Sequence, residues 1–183
     1  EVKRKLSNEL QRYEYTPASS PEISMIRTYI DTLLSLPYNQ SSAEETSKDK
    51  IRKELDKTHY GLEDVKNRII EYAVLKKNNH DLENPIICLV GAPGIGKTSI
   101  ARTIATALKR KFTKISLGGL NDSSELIGHR RTYLGSAPGK IISSLIKCET
   151  NNPVILLDEV DKLVKDYKGD PASVLLDILD SKQ

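Results

Sequence analysis

IICLVGAPGIGKTSIARTIATALKR, Ile86–Arg110, decides the fold. Ile86–Val90 is a short, continuously apolar run of the kind expected of a strand covered on both faces. Gly91-Ala92-Pro93-Gly94-Ile95-Gly96-Lys97-Thr98 then matches the spacing G-x-x-x-x-G-K-[ST]. Beyond it, Ile100, Ile104 and Leu108 recur at helical spacing. Strand, glycine turn and helix in that order build a polyphosphate cradle. Glycines let backbone N–H groups face the anion with no Cβ in the way, and the helix starting near Thr98 aims its positive end at the same oxygens. Lys97 supplies a mobile positive charge to the β- and γ-phosphates, and the Thr98 hydroxyl is a hard oxygen ligand for Mg²⁺.

Working outward, Phe112–Gly119 reads as a second strand and Val154–Leu157 as a third, with an amphipathic helix over Lys140–Cys148 between them. Asp122 with Glu125 resembles a capping box, and Asp170-Pro171 is a cap plus a first-turn proline opening a last helix. Strands alternating with helices predict a parallel α/β sheet flanked by helices. The third strand delivers Asp158 and Glu159 at its carboxyl end, where ligands bind in open α/β sheets. Asp158 is placed to hold Mg²⁺ and Glu159 to polarise an attacking water, an ATPase pattern.

Before Ile86 the chain reads as helical. Leu6, Leu10 and Tyr13 form one stripe, and Ile23, Ile26, Ile30 and Leu33 another. Ser20 is a good cap for the second helix with Pro21 at its first position, and the helix should stop near Leu36, before Pro37. Asn39–Lys50 holds one apolar residue, Ala43, and reads as a solvated linker or exposed helix start. Leu62, Val65, Ile69 and Ala73 mark a further helix face.

Composition bounds the rest. The 183 residues allow one domain or one plus a fragment. The 28 Lys+Arg against 25 Asp+Glu leave +3, too little to argue for nucleic acid or a membrane surface. No run approaches the length of a bilayer-spanning helix. The start, EVKRKLSNELQ, reads as a cut, having no apolar signal region. Cys88 and Cys148 lie far apart, fit a reducing compartment and are expected to be small buried hydrophobes. His59, His80 and His129 lack metal-ligand spacing. His129–Gly139 is by default a solvated charged loop, yet Tyr133 there and Tyr167 in KDYKGD are candidates for gripping a polymer.

HYGLEDVKNRIIEY, GAPGIGKTSIARTIATAL, ISLGG, GHRRTYLGSAPGKII, NPVILLDEVDK and GDPASVLLDILD together resemble the AAA+ module of the Lon family of ATP-dependent serine proteases, over about Leu55–Gln183. The resemblance implies a P-loop NTPase fold, an AAA+ α/β domain over residues 51–183 that is incomplete at its C-terminus. An α-helical segment, residues 1–50, precedes it and looks like the end of the family's N-terminal domain. It implies ATP and Mg²⁺ as cofactors, with Glu159 and Lys97 catalytic and Thr98 and Asp158 at the metal. Nucleotide contacts fall on Gly91 through Ser99 (Gly91, Ala92, Pro93, Gly94, Ile95, Gly96, Lys97, Thr98, Ser99) and on Asp158, while His59, Tyr60 and Gly61 line the adenine. Tyr133 and Leu134 match a first substrate-gripping pore loop, and Tyr167 falls in a second.

The family's partners are further copies of the chain in a homohexamer and unfolded polypeptide threaded through its pore to a Ser–Lys dyad. DNA contact is possible but not required, and no membrane is involved. The family occupies the bacterial cytoplasm and the mitochondrial matrix, and this sequence looks bacterial. In the family's strand order a sensor strand lies between the phosphate-loop strand and the Asp158 strand. That strand, the arginine finger, the lid and the protease domain would follow Gln183, so the sequence reads as a piece of a longer protein. The rival reading is a non-proteolytic AAA+ remodeller or helicase loader with His129, Arg130 and Arg131 on nucleic acid. A third is a structural fragment that binds nothing.

Overall fold

The structure, a computed structural model, describes residues 1–45, 47–78, 86–120, 122–130, 136–163 and 170–180. Two helices come first, α1 (Val2–Tyr15) and α2 (Glu22–Ser35), packed together and joined by an Arg12–Glu22 ion pair. The α2 stripe buries Ile26 and Ile30, and the helix stops where Leu36 turns extended ahead of Pro37. Its first helical residue is Glu22, one later than the cap pattern predicts, although Ser20 Oγ still accepts the Glu22 N–H at 3.3 Å. The α1 stripe is a different matter, since no α1 residue is buried and Leu10 is 44% exposed.

The polar run after α2 is not simply solvated. Gln40 O accepts the Asn151 N–H at 2.8 Å, and Ser42 exchanges bonds with Asn152 in both directions, at 2.8 and 3.0 Å. The Glu45 N–H reaches Leu108 O at 3.1 Å, and the Glu44 carboxylate receives Arg110 at 2.6 Å. A segment whose one apolar side chain is Ala43 thus docks through its backbone and carboxylates. Its end does open a helix, α3 (Lys48–Thr58).

Helices α3, α4 (Glu63–Asn78) and α5 (Lys97–Ala107) share one core of Ile51, Leu55, Ile69, Ile70, Ala73, Ile100, Ile104, Ala107 and Leu108. Ile51 and Leu55 are fully buried, each contributing about 1.5–3 kcal/mol of transfer free energy. Strands β1 (Phe112–Ser116) and β2 (Val154–Asp158) form a parallel pair in register from Phe112↔Val154 to Ser116↔Asp158. A parallel pair needs a long crossover, here carrying α6 (Ser124–Ile127) and α7 (Lys140–Cys148). Helix α8 (Pro171–Leu179) starts as read from its sequence, with Asp170 accepting the N–H groups of Ala172 and Ser173. A second core joins Ile115, Leu117, Leu120, Leu126 and Leu175 beneath this sheet.

The parallel α/β architecture with flanking helices is therefore present, with one correction. Ile86–Val90 is not a doubly covered strand and has no ladder partner among the described residues. Ile87 and Leu89 pack against the α3–α5 core, while Ile86 and Val90 are exposed, as is Cys88. A strand exists only through its neighbour's N–H and C=O groups. In the strand order implied by the resemblance neither β1 nor β2 is that neighbour. Cys88 is consequently no core residue, whereas Cys148 is buried, which pushes its thiol pKa up.

Candidate functional site

The glycine loop has the backbone its spacing demands. Gly94 and Gly96 sit at φ +81° and +93°, in the left-handed region open to glycine. Gly96 is the residue before α5, and the first ladder bond of that helix is Ile100 N–H to Gly96 O at 2.9 Å. The N–H groups of Lys97, Thr98 and Ser99 therefore precede the ladder and stand at the helix's positive end. Gly91 through Ile95 are exposed, and Gly96, Lys97 and Thr98 half-buried. Lys97 folds across its own loop, its Nζ donating to Gly91 O at 2.8 Å and Ala92 O at 2.7 Å.

The second part of the site is the end of β2. Asp158 accepts an ion pair from Lys114 Nζ at 2.6 Å on the neighbouring strand and the Glu159 N–H at 3.0 Å. The Lys114 bond, above all, holds the Asp158 carboxyl below the usual carboxylate range, and the charge of Lys97 adds to the effect. Glu159 is in the left-handed region at φ +61°, a strained setting of the kind that persists at functional sites. Its carboxylate pairs with Lys162 and accepts the Ser116 hydroxyl at 3.0 Å, both of which lower its pKa, Lys162 more. Both carboxylates are thus ionised at neutral pH, as a metal ligand and a general base need to be.

Lys114, Ser116 and Lys162 are the members that sequence reading missed. Lys114 and Ser116 alternate along β1 onto the face that meets Asp158, a period-two signal visible only once the β1–β2 register is known. Lys162 lies three residues beyond Glu159, on a single 3-10 turn over Val160–Lys162.

Mg²⁺ suits this donor set. Among the described residues no group of three or more His, Cys, Asp or Glu could hold a metal. The Thr98 hydroxyl and Asp158 carboxylate are two hard oxygens, the small complement Mg²⁺ takes when phosphates and waters supply the rest.

His59, Tyr60 and Gly61 form the turn between α3 and α4, with Tyr60 fully exposed and Gly61 at φ +68°. A hydrogen-bond string joins this turn to the phosphate loop's helix. Thr58 Oγ1 donates to Thr103 Oγ1 at 3.2 Å, and Thr103 Oγ1 donates to Ser99 O at 3.2 Å. Tyr133, Leu134 and Tyr167 lie outside the described residues. What precedes and follows the first of these segments is an antiparallel bridge, Gly128 to Pro138, with the His129 N–H on Ala137 O at 3.3 Å. His129 and Arg130, just beyond the bridge, are exposed. No described helix is long and apolar enough to cross a membrane.

Known proteins bear on this arrangement. A family model described as the ATPase family associated with various cellular activities (AAA) matches residues 87–183. The Lon protease of Halothermothrix orenii is 49% identical over 182 residues, 100% of this chain and 23% of the relative. The Lon protease of Clostridioides difficile is 50% identical over 182 residues, again 100% of this chain and 23% of the relative. Lon protease 1 of Bacillus subtilis is 50% identical over 182 residues, 24% of its length. The chain spans about a quarter of the length of these curated relatives.

Proposed function

The chain belongs to the AAA family of ATPases, and from that premise we propose that it binds and hydrolyses ATP with Mg²⁺ as part of a Lon-type ATP-dependent serine protease. The observation that carries this reading is the convergence of the two motifs. Helix α5, which opens with Lys97 and Thr98, packs against β2, which ends at Asp158, and the charge of Lys97 helps to lower the Asp158 pKa. The loop N–H groups and Lys97 bind the phosphates, and Thr98 and Asp158 hold the metal, which supplies charge neutralisation at the β- and γ-oxygens. Glu159, ionised and fixed by Ser116 and Lys162, takes a proton from the attacking water. His59, Tyr60 and Gly61 seat the adenine.

In the whole protein, we assign residues 1–50 to the end of an N-terminal domain and 51–183 to the ATPase domain, with α3 straddling the boundary from Lys48. Copies assemble as a hexamer in the bacterial cytoplasm. Tyr133 and Leu134, with Tyr167 from a second loop, grip unfolded polypeptide on its way to a Ser–Lys dyad elsewhere in the protein.

Two substitutions test the core of this. Lys97→Ala should abolish ATP binding, measured by calorimetry, and retained affinity would remove the phosphate-loop assignment. Glu159→Gln should keep binding and stop hydrolysis; continued turnover would take the general base away from Glu159. Tyr133→Ala in the full-length protein should impair degradation of folded substrates with ATP binding intact.

A further inference from the structure

Lys66 is charged yet only 2% exposed, among the largest fully buried side chains of the described residues, and nothing in the hydrolytic chemistry uses it. It projects from α4 to Asp56 on α3, its Nζ 2.6 Å from Asp56 Oδ1, with Glu63 Oε1 at 4.0 Å. Arg52 on α3 makes a second tie, donating to Glu63 at 2.9 Å and to Asn67. Burying an ammonium is costly, and an apolar side chain of the same length would hold two helices together at least as well. Apolar packing is non-directional, whereas this pair fixes Lys66 Nζ on α4 and Asp56 Oδ1 on α3 to one another at 2.6 Å.

The segment so placed is the turn over Thr58–Leu62. Gly61 and Leu62 take consecutive left-handed conformations, φ +68° and +56°. For leucine that geometry costs free energy and persists only where the surroundings over-determine it. Leu62 is half-exposed, so its own packing does not compensate. The surroundings that do constrain it are the Lys66 N–H on Leu62 O at 3.0 Å, the Lys66–Asp56 pair and the Thr58–Thr103 bond to α5.

We infer that Lys66 and Asp56 are positioning residues for nucleobase binding, fixing the strained His59–Leu62 turn at the place where a purine ring meets it, while the phosphates depend on the glycine loop, the start of α5 and Asp158. This rests on the reading of His59, Tyr60 and Gly61 as the adenine seat. It separates two parts of one ligand, so a triphosphate with a base and one without should respond differently.

The test measures binding of β,γ-imido-ATP and of inorganic tripolyphosphate to the full-length protein by calorimetry with Mg²⁺. Lys66→Met keeps the alkyl packing and removes the charge. It should weaken the nucleotide roughly tenfold and leave tripolyphosphate within about twofold. Asp56→Asn keeps the side chain's size and leaves Glu63 Oε1, at 4.0 Å, as the remaining carboxylate beside Lys66; it should show the same pattern and carries the test if Lys66→Met fails to fold. Equal losses for both ligands, or an unchanged nucleotide affinity in Asp56→Asn, would overturn the inference. His59→Ala and Tyr60→Ala test the underlying reading. If neither affects nucleotide binding, the adenine seat itself is wrong; if they act and the clamp variants do not, the clamp alone is wrong.

Discussion

Two glycines of one loop should respond to alanine for different physical reasons. At Gly96 the added Cβ meets nothing nearer than Ser99 Cβ at 4.0 Å, so no overlap arises. The cost is conformational, about 1–2 kcal/mol for holding an L-residue at φ +93°. At Gly91 the φ is ordinary and the Cβ overlaps Ile95 Cδ1, the far end of a side chain that is 62% exposed. That methyl can swing into solvent, so Gly91→Ala should cost no more than about 0.5 kcal/mol.

The Gly96→Ala cost can surface in two ways. If the loop keeps its shape, unfolding is easier, with Tm falling about 2–4 °C per kcal/mol for a chain of this size. If the loop relaxes, stability is kept and ligand must rebuild the cradle, weakening binding about 5–30-fold. Calorimetric unfolding and β,γ-imido-ATP binding, measured on both variants, capture the whole cost between them. Gly96→Ala with neither loss, or Gly91→Ala matching it, would refute the conformational argument.

Further predictions concern the surrounding scaffold. Glu45 is held at about 2, below its ordinary 4.5, chiefly by the Ser47 N–H, with Lys109 and Lys50 assisting. Its contribution is therefore complete above pH 4.5 and lost as pH falls toward 2. Glu45→Gln should narrow the stability gap to wild type as pH drops through that window; urea midpoints with a constant gap would contradict this. Asp170→Ala removes the α8 cap and should cost about 1 kcal/mol in urea unfolding. Leu55→Ala opens the fully buried centre of the α3–α5 core and should cost about 2–5 kcal/mol, with a surface change such as Lys53→Ala as the neutral control.

Readable without a fold is whatever neighbouring residues dictate to one another. The glycine spacing before Lys97, the Asp170-Pro171 cap and the stop ahead of Pro37 all act within a turn or two of backbone, so each was legible without a fold. The Lys140–Cys148 helix and the strand ending at Asp158 followed from apolar periodicity in the same way. Partners distant in sequence were not legible. Ile86–Val90 is as apolar as a central strand, but only a neighbouring ladder makes it one. Asn39–Glu45 looks solvated because docking by backbone N–H and carboxylates leaves no apolar signature. Lys114 and Ser116 read as ordinary strand residues until the register of β1 on β2 sets them against Asp158 and Glu159. Only tertiary structure decides such pairings, because hydrogen bonds and ion pairs depend on distances that the fold closes across more than 40 residues of chain.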